Sequence, residues 1–105
     1  QSETCRIFQE LGYSTIQENP ECVEGYVHSL GHGVGLEVHE SPFSGMSSGA
    51  TDVLQPGMVF TVEPGLYYPS KGFGVRIEDS VYLNAEGKAE ILADFPYQLV
   101  LPISK

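Results

Sequence analysis

The histidines of this chain stand at 28, 32 and 39, all within Val27-His-Ser-Leu-Gly-His-Gly-Val-Gly-Leu-Glu-Val-His39-Glu40. Two glutamates lie in otherwise strand-like text: Glu63 ends Val59-Phe-Thr-Val-Glu63, and Glu78 lies inside Gly74-Val-Arg-Ile-Glu78-Asp-Ser-Val-Tyr82. Imidazole nitrogens with carboxylate oxygens form a donor set for Mn, Co, Fe or Zn. A rigid β scaffold around such a set suits a metal that generates hydroxide from water. His28 and His32 have the i, i+4 spacing of a helical metal pair. Glycines at 31, 33 and 35 oppose a helix there. Glycine at alternate positions instead lets the backbone approach another segment or a ligand closely. The pattern is not a dinucleotide loop, since that needs a glycine where Leu36 stands.

Plainer readings compete at each position. Clustered histidines can make ordinary polar contacts. Glu63 can be a strand-end carboxylate facing water, and Glu78 can pair with Arg76 on one strand face. A carboxylate set in a β-rich interior is costly unless it is paired or binds metal, which favours His32, Glu63 and Glu78 as a ligand group.

The elements that must position these groups are one helix and several strands. Residues 3–11 carry Cys5, Phe8 and Leu11 on one stripe, with Gly12 at the helix end. Asn19-Pro20 and Gly25 predict a loop over 14–25. Strands are expected at Tyr26–Leu30, Gly35–His39, Met58–Glu63, Gly74–Leu83 and Ala89–Leu92, rich in Val, Ile, Phe, Tyr and Thr. Residues 40–52 read as a Ser/Gly-rich loop. Pro56-Gly57 predicts a type II turn, and residues 84–87 a hairpin turn. Alternation places Val59, Thr61 and Glu63 on one strand face, and Arg76, Glu78 and Ser80 on one face of another. A helix followed by strands without βα alternation gives α+β with a largely antiparallel sheet.

The 105 residues fit one domain or a compact piece of one, and at 41% hydrophobic they are not disordered in composition. A chain this long can bury roughly two thirds of its unfolded surface, so an independent core is feasible. Five basic against fourteen acidic residues give a net charge of −9. That argues against nucleic acid and against an anionic membrane surface. No apolar run approaches a membrane span, and no leader is visible. The chain opens at Gln1, which suggests processing or a longer protein. Cys5 and Cys22 form no metal motif and read as two reduced thiols of an intracellular protein.

Three segments carry a resemblance. His28-Ser-Leu-Gly-His32-Gly-Val-Gly-Leu-Glu-Val-His39-Glu40-Ser-Pro42, then Leu54-Gln-Pro-Gly-Met-Val-Phe-Thr-Val-Glu63-Pro-Gly-Leu-Tyr67, then Gly74-Val-Arg-Ile-Glu78-Asp79 closely resemble the pita-bread-fold metallopeptidases. Methionine aminopeptidase, Xaa-Pro aminopeptidase, Xaa-Pro dipeptidase and creatinase belong to that superfamily. The short spacing from Glu63 to Glu78 and the Val-Arg-Ile-Glu-Asp text favour the Xaa-Pro branch. The resemblance implies metal ligation by His32, Glu63 and Glu78, with Glu78 bridging two divalent ions (Mn, Co or Zn). It implies that His39 binds the scissile amide and stabilises developing charge, while Glu63 or a neighbour moves the proton. It makes His28 a substrate-pocket residue, and Arg76 and Tyr67 groups that hold the site. The implied substrate is a peptide with proline second, the implied setting cytoplasmic, and a homodimer is compatible with it.

The family's other two ligands are aspartates in an Asp-x-Gly … Asp-x-Thr-Arg context. Asp52, Asp79 and Asp94 do not lie in such a context. Residues 1–105 are therefore expected to be the C-terminal half of a catalytic domain, inactive when isolated. A non-catalytic pita-bread relative that binds peptides or assists assembly is the alternative. A cupin-like barrel is disfavoured, because no histidine follows His39.

Overall fold

The computed structural model describes residues 1–45 and 52–103. Helix α1 spans Ser2–Glu10, one residue earlier at each end than the apolar stripe predicts. It buries Cys5, and Phe8 packs on Tyr26 with ring centroids 5.1 Å apart. Arg6 bridges Glu3 and Glu10 on the exposed side, where such pairs add little stability. Gln1 fastens the helix start to the following chain. Its Nε2 donates to the His28 carbonyl (3.1 Å), and its Oε1 accepts from the Leu30 N–H (2.6 Å).

Seven strands follow: β1 His32–Gly33, β2 Glu40–Phe43, β3 Val59–Val62, β4 Gly65–Tyr68, β5 Phe73–Arg76, β6 Asp79–Leu83 and β7 Ala89–Ile91. They form a five-stranded sheet, ordered β2-β1-β3-β6-β7, and a β4-β5 pair, with every strand pairing antiparallel. The fold is α+β, and the sheet is open rather than a closed barrel, against the cupin alternative. Both expected turns form. Gly57 takes φ 94° as the Met58 N–H bonds the Gln55 carbonyl, and the Gly87 N–H bonds the Asn84 carbonyl.

Three strand expectations need correction. Tyr26–Leu30 is not a strand, because its backbone partners lie on separate segments. Tyr26 bonds Ser14 and Ile16, whereas the Leu30 carbonyl accepts from the Glu63 N–H, so no continuous ladder forms. Gly35–His39 is a bent segment held by local bonds, the Gly35 N–H to the Glu37 carbonyl and the Glu37 N–H to Glu40 Oε2. Strand structure comes instead at β2, inside the expected 40–52 loop. Pro42 is tolerated there because β2 is an edge strand. Residues 46–51 of that loop lie outside the described residues.

The expected Gly74–Leu83 strand is two strands in two sheets. β3 ends at Val62 opposite Asp79, and β4 begins at Gly65 opposite Arg76. Between them stands Glu63-Pro64, and proline has no N–H to continue a ladder. Its partner chain breaks opposite, at Ile77-Glu78. The expected continuous strand through Arg76, Glu78 and Ser80 is interrupted there, although Arg76 and Glu78 still pair. The β4 strand is a further element that the sequence reading did not contain.

The core is small. Among the described residues the buried apolar side chains are Cys5, Tyr26 and Val81, joined by the hydroxyls of Thr15 and Thr61. The accessible surface is 7613 Å², whereas a self-contained monomer of this mass exposes roughly 5,800 Å². The Cα radius of gyration is 15.4 Å, against about 13 Å for a domain of this length. The independent core that the chain length would allow is therefore not formed. No helix among the described residues is long and apolar enough to cross a membrane.

Candidate metal centre

The break between the two sheets carries both glutamates. Glu63 follows β3, and Glu78 precedes β6. β1 lies beside β3, with Gly33 opposite Phe60, which brings His32 to the same place. One donor atom from each of His32, Glu63 and Glu78 lies within 4.8 Å of the other two. His32 Nε2 is 3.3 Å from Glu63 Oε1, and both side chains are only 12% exposed. The water-facing reading of Glu63 is thus overturned. His32 Nδ1 lies 2.9 Å from the Gly33 carbonyl. Donation there fixes the tautomer and leaves the Nε2 lone pair facing the carboxylates.

Arg76 faces both acids, its Nε 3.3 Å from Glu78 Oε2 and 3.9 Å from Glu63 Oε2. The ion-pair reading of Glu78 therefore holds alongside the cluster. The Tyr67 hydroxyl first, and the Glu78 and Glu63 carboxylates after it, raise the Arg76 pKa, so this is a permanent positive charge. One imidazole nitrogen and two carboxylates at this spacing suit a small divalent cation, whose bonds to N and O run about 2.0–2.2 Å.

A cleft of about 560 Å³ opens over the cluster, lined in part by His28, His32, His39, Glu63, Tyr67 and Arg76. The bend at 34–39 swings His39 back, so that its ring lies edge-on to His32 with centroids 4.3 Å apart. His39 is exposed and stands beside the three-residue group rather than in it. His28 Nε2 meets the Tyr67 hydroxyl at 3.1 Å, and its Nδ1 lies 2.7 Å from the Ser29 carbonyl. All seven residues singled out from the sequence thus gather at one place. Thr61 was missed as part of the site, although it is buried beneath the cluster on the Glu63 face of β3. Its signal was a hydroxyl two residues before a candidate ligand.

The alternate glycines act as the sequence suggests. A Cβ on Gly31 would overlap the Thr61 carbonyl, and one on Gly33 the Ser41 carbonyl. Gly31→Ala should therefore push β1 from β3 and cost about 1–3 kcal/mol, read as a lowered Tm. An unchanged Tm would mean that this close approach is not built as described.

The profile of metallopeptidase family M24 matches residues 2–85. The Xaa-Pro dipeptidase of Pyrococcus horikoshii is 52% identical over 85 residues, covering 81% of this chain and 21% of the relative. An uncharacterized peptidase of Bacillus subtilis, YqhT, is 50% identical over 74 residues, covering 70% of this chain and 20% of the relative. Among solved structures, the prolidase from Pyrococcus horikoshii OT3 superposes with a TM-score of 0.71 and 41% identity, covering 90% of this chain and 24% of that one. The chain spans about a fifth of the length of the curated relatives it matches. With the family match running through His32, Glu63 and Glu78 and a prolidase structure superposing over 90% of the chain, this chain belongs to metallopeptidase family M24.

Proposed function

We propose that the protein carrying this chain is a metal-dependent peptidase that cleaves the bond before a proline in second position. The observation that carries the proposal is the convergence at the sheet break of His32 and Glu63, both largely shielded, with the more exposed Glu78. The names of the relatives support the Xaa-Pro substrate class. His32, Glu63 and Glu78 are the ligands on this chain, and two divalent ions (Mn, Co or Zn) fill the complete site. Bound there, the metal supplies a Lewis acid and lowers the pKa of water.

The chain's own residues do the rest. Glu63, its Oε1 held toward His32 and its Oε2 near Arg76, or a neighbouring group takes the proton from the attacking water. His39 donates a ring N–H to the developing oxyanion of the scissile carbonyl. His28, braced by Tyr67, lines the substrate cleft. Arg76 offsets the charge of two adjacent carboxylates.

In this reading residues 1–105 are the C-terminal half of a catalytic domain. The excess surface and the exposed Phe95, Tyr97, Leu99 and Val100 support it, since such a face needs covering. A cytoplasmic location and a homodimer belong to the same reading.

The test is hydrolysis of Xaa-Pro peptides with added Mn, Co or Zn. The full-length protein should turn over and lose activity to a chelator, whereas the isolated 105-residue chain should show none. A full-length protein that binds these peptides without cleaving them would establish the non-catalytic alternative. Turnover by the isolated chain at the full-length rate would overturn the half-domain reading.

A further inference from the structure

We propose that Thr61 is a positioning residue whose single hydroxyl sets His32 and Glu63 relative to each other. The proposal rests on the reading of those two residues as metal ligands. Thr61 is 5% exposed, on the central strand of the larger sheet. Its Oγ1 accepts the His32 backbone N–H at 3.1 Å and lies 3.0 Å from Glu63 Oε1. A hydroxyl has one proton to give. The Glu63 carboxylate receives it, because the other acceptor, the His32 carbonyl, stands at 3.5 Å and is uncharged.

That arrangement has two consequences. The His32 backbone is pinned to β3 directly beneath its ring, and Gly31 has no Cβ to obstruct the approach to Thr61. At the same time Glu63 Oε1 is turned toward His32 Nε2. One oxygen atom thus fixes the origin of one ligand and the rotation of the other. β1 is only two residues long, paired with β2 and β3, and it is this side-chain oxygen that takes up the His32 N–H. A hydroxyl with this double task differs from one that merely fills a core position, and the difference is measurable.

Thr61→Val keeps the shape and removes the hydroxyl; Thr61→Ser keeps the hydroxyl and removes the methyl. In the full-length protein, Thr61→Val should weaken Mn binding by calorimetry about 10–100-fold, as loss of a group that orients a ligand does. Thr61→Ser should bind Mn as the wild type does. Hydrogen exchange at the His32 amide should accelerate in Thr61→Val and not in Thr61→Ser, with or without Mn. Should Thr61→Val fail to fold, Thr61→Ser against Thr61→Ala reads the same contrast. Wild-type Mn affinity in Thr61→Val, or equal losses in the valine and serine variants, would overturn the proposal in favour of simple packing. If the wild type takes up none of Mn, Co and Zn, the metal reading fails and the ligand-setting role falls with it. The amide exchange would still report, separately, whether the hydroxyl ties β1 to β3.

Discussion

Replacing His32 with alanine should strip the full-length protein of metal and of peptidase activity together. His32 contributes the one imidazole nitrogen of the three-residue group, and its ring is already oriented by the Gly33 carbonyl. Its removal leaves Glu63 and Glu78 facing each other across Arg76. Two carboxylates that Arg76 also contacts then lack the nitrogen donor that completes the group. Elemental analysis after dialysis should find the metal of this site gone, and turnover of Xaa-Pro peptides should fall to background. The fold should persist, because the strands β3 and β6 pair over four residues each without help from the imidazole. Retained metal with normal turnover would mean that the cluster is not the metal site.

His39→Ala should do the reverse, keeping metal while losing rate. The ring stands beside His32 at the cleft wall but outside the three-residue group. Loss of one oxyanion donor typically lowers kcat about 10²–10³-fold. Because His39 is exposed, the change should leave Tm within a degree or so, as surface substitutions shift stability by about 0.5 kcal/mol or less. Metal analysis, kcat and a melting curve on this variant and on His32→Ala separate the two roles. If His39→Ala empties the site, or leaves kcat unchanged, His39 is not the oxyanion-facing group.

The sequence by itself picked out the candidate residues that the structure gathers, the α+β class and the two turns. Each is a local property. Glycine and proline act on their own neighbourhood, and a carboxylate in apolar strand text is conspicuous wherever it folds. An odd separation between His32 and His39 along a strand would have put them on opposite faces, so a shared site required the kink that local bonds at Gly35 and Glu37 supply. Only the tertiary structure decided where strands actually pair. Tyr26–Leu30 looks like a strand in composition, yet its partners lie on several segments, and pairing is a property of the partner as much as of the chain. The sheet break illustrates this best. Pro64 could be seen to interrupt its own strand, but nothing in Gly74–Leu83 shows that the chain opposite must break at Ile77-Glu78 to follow it. That shared interruption frees Glu63 and Glu78 from face alternation and lets both meet His32, with Thr61 beneath them.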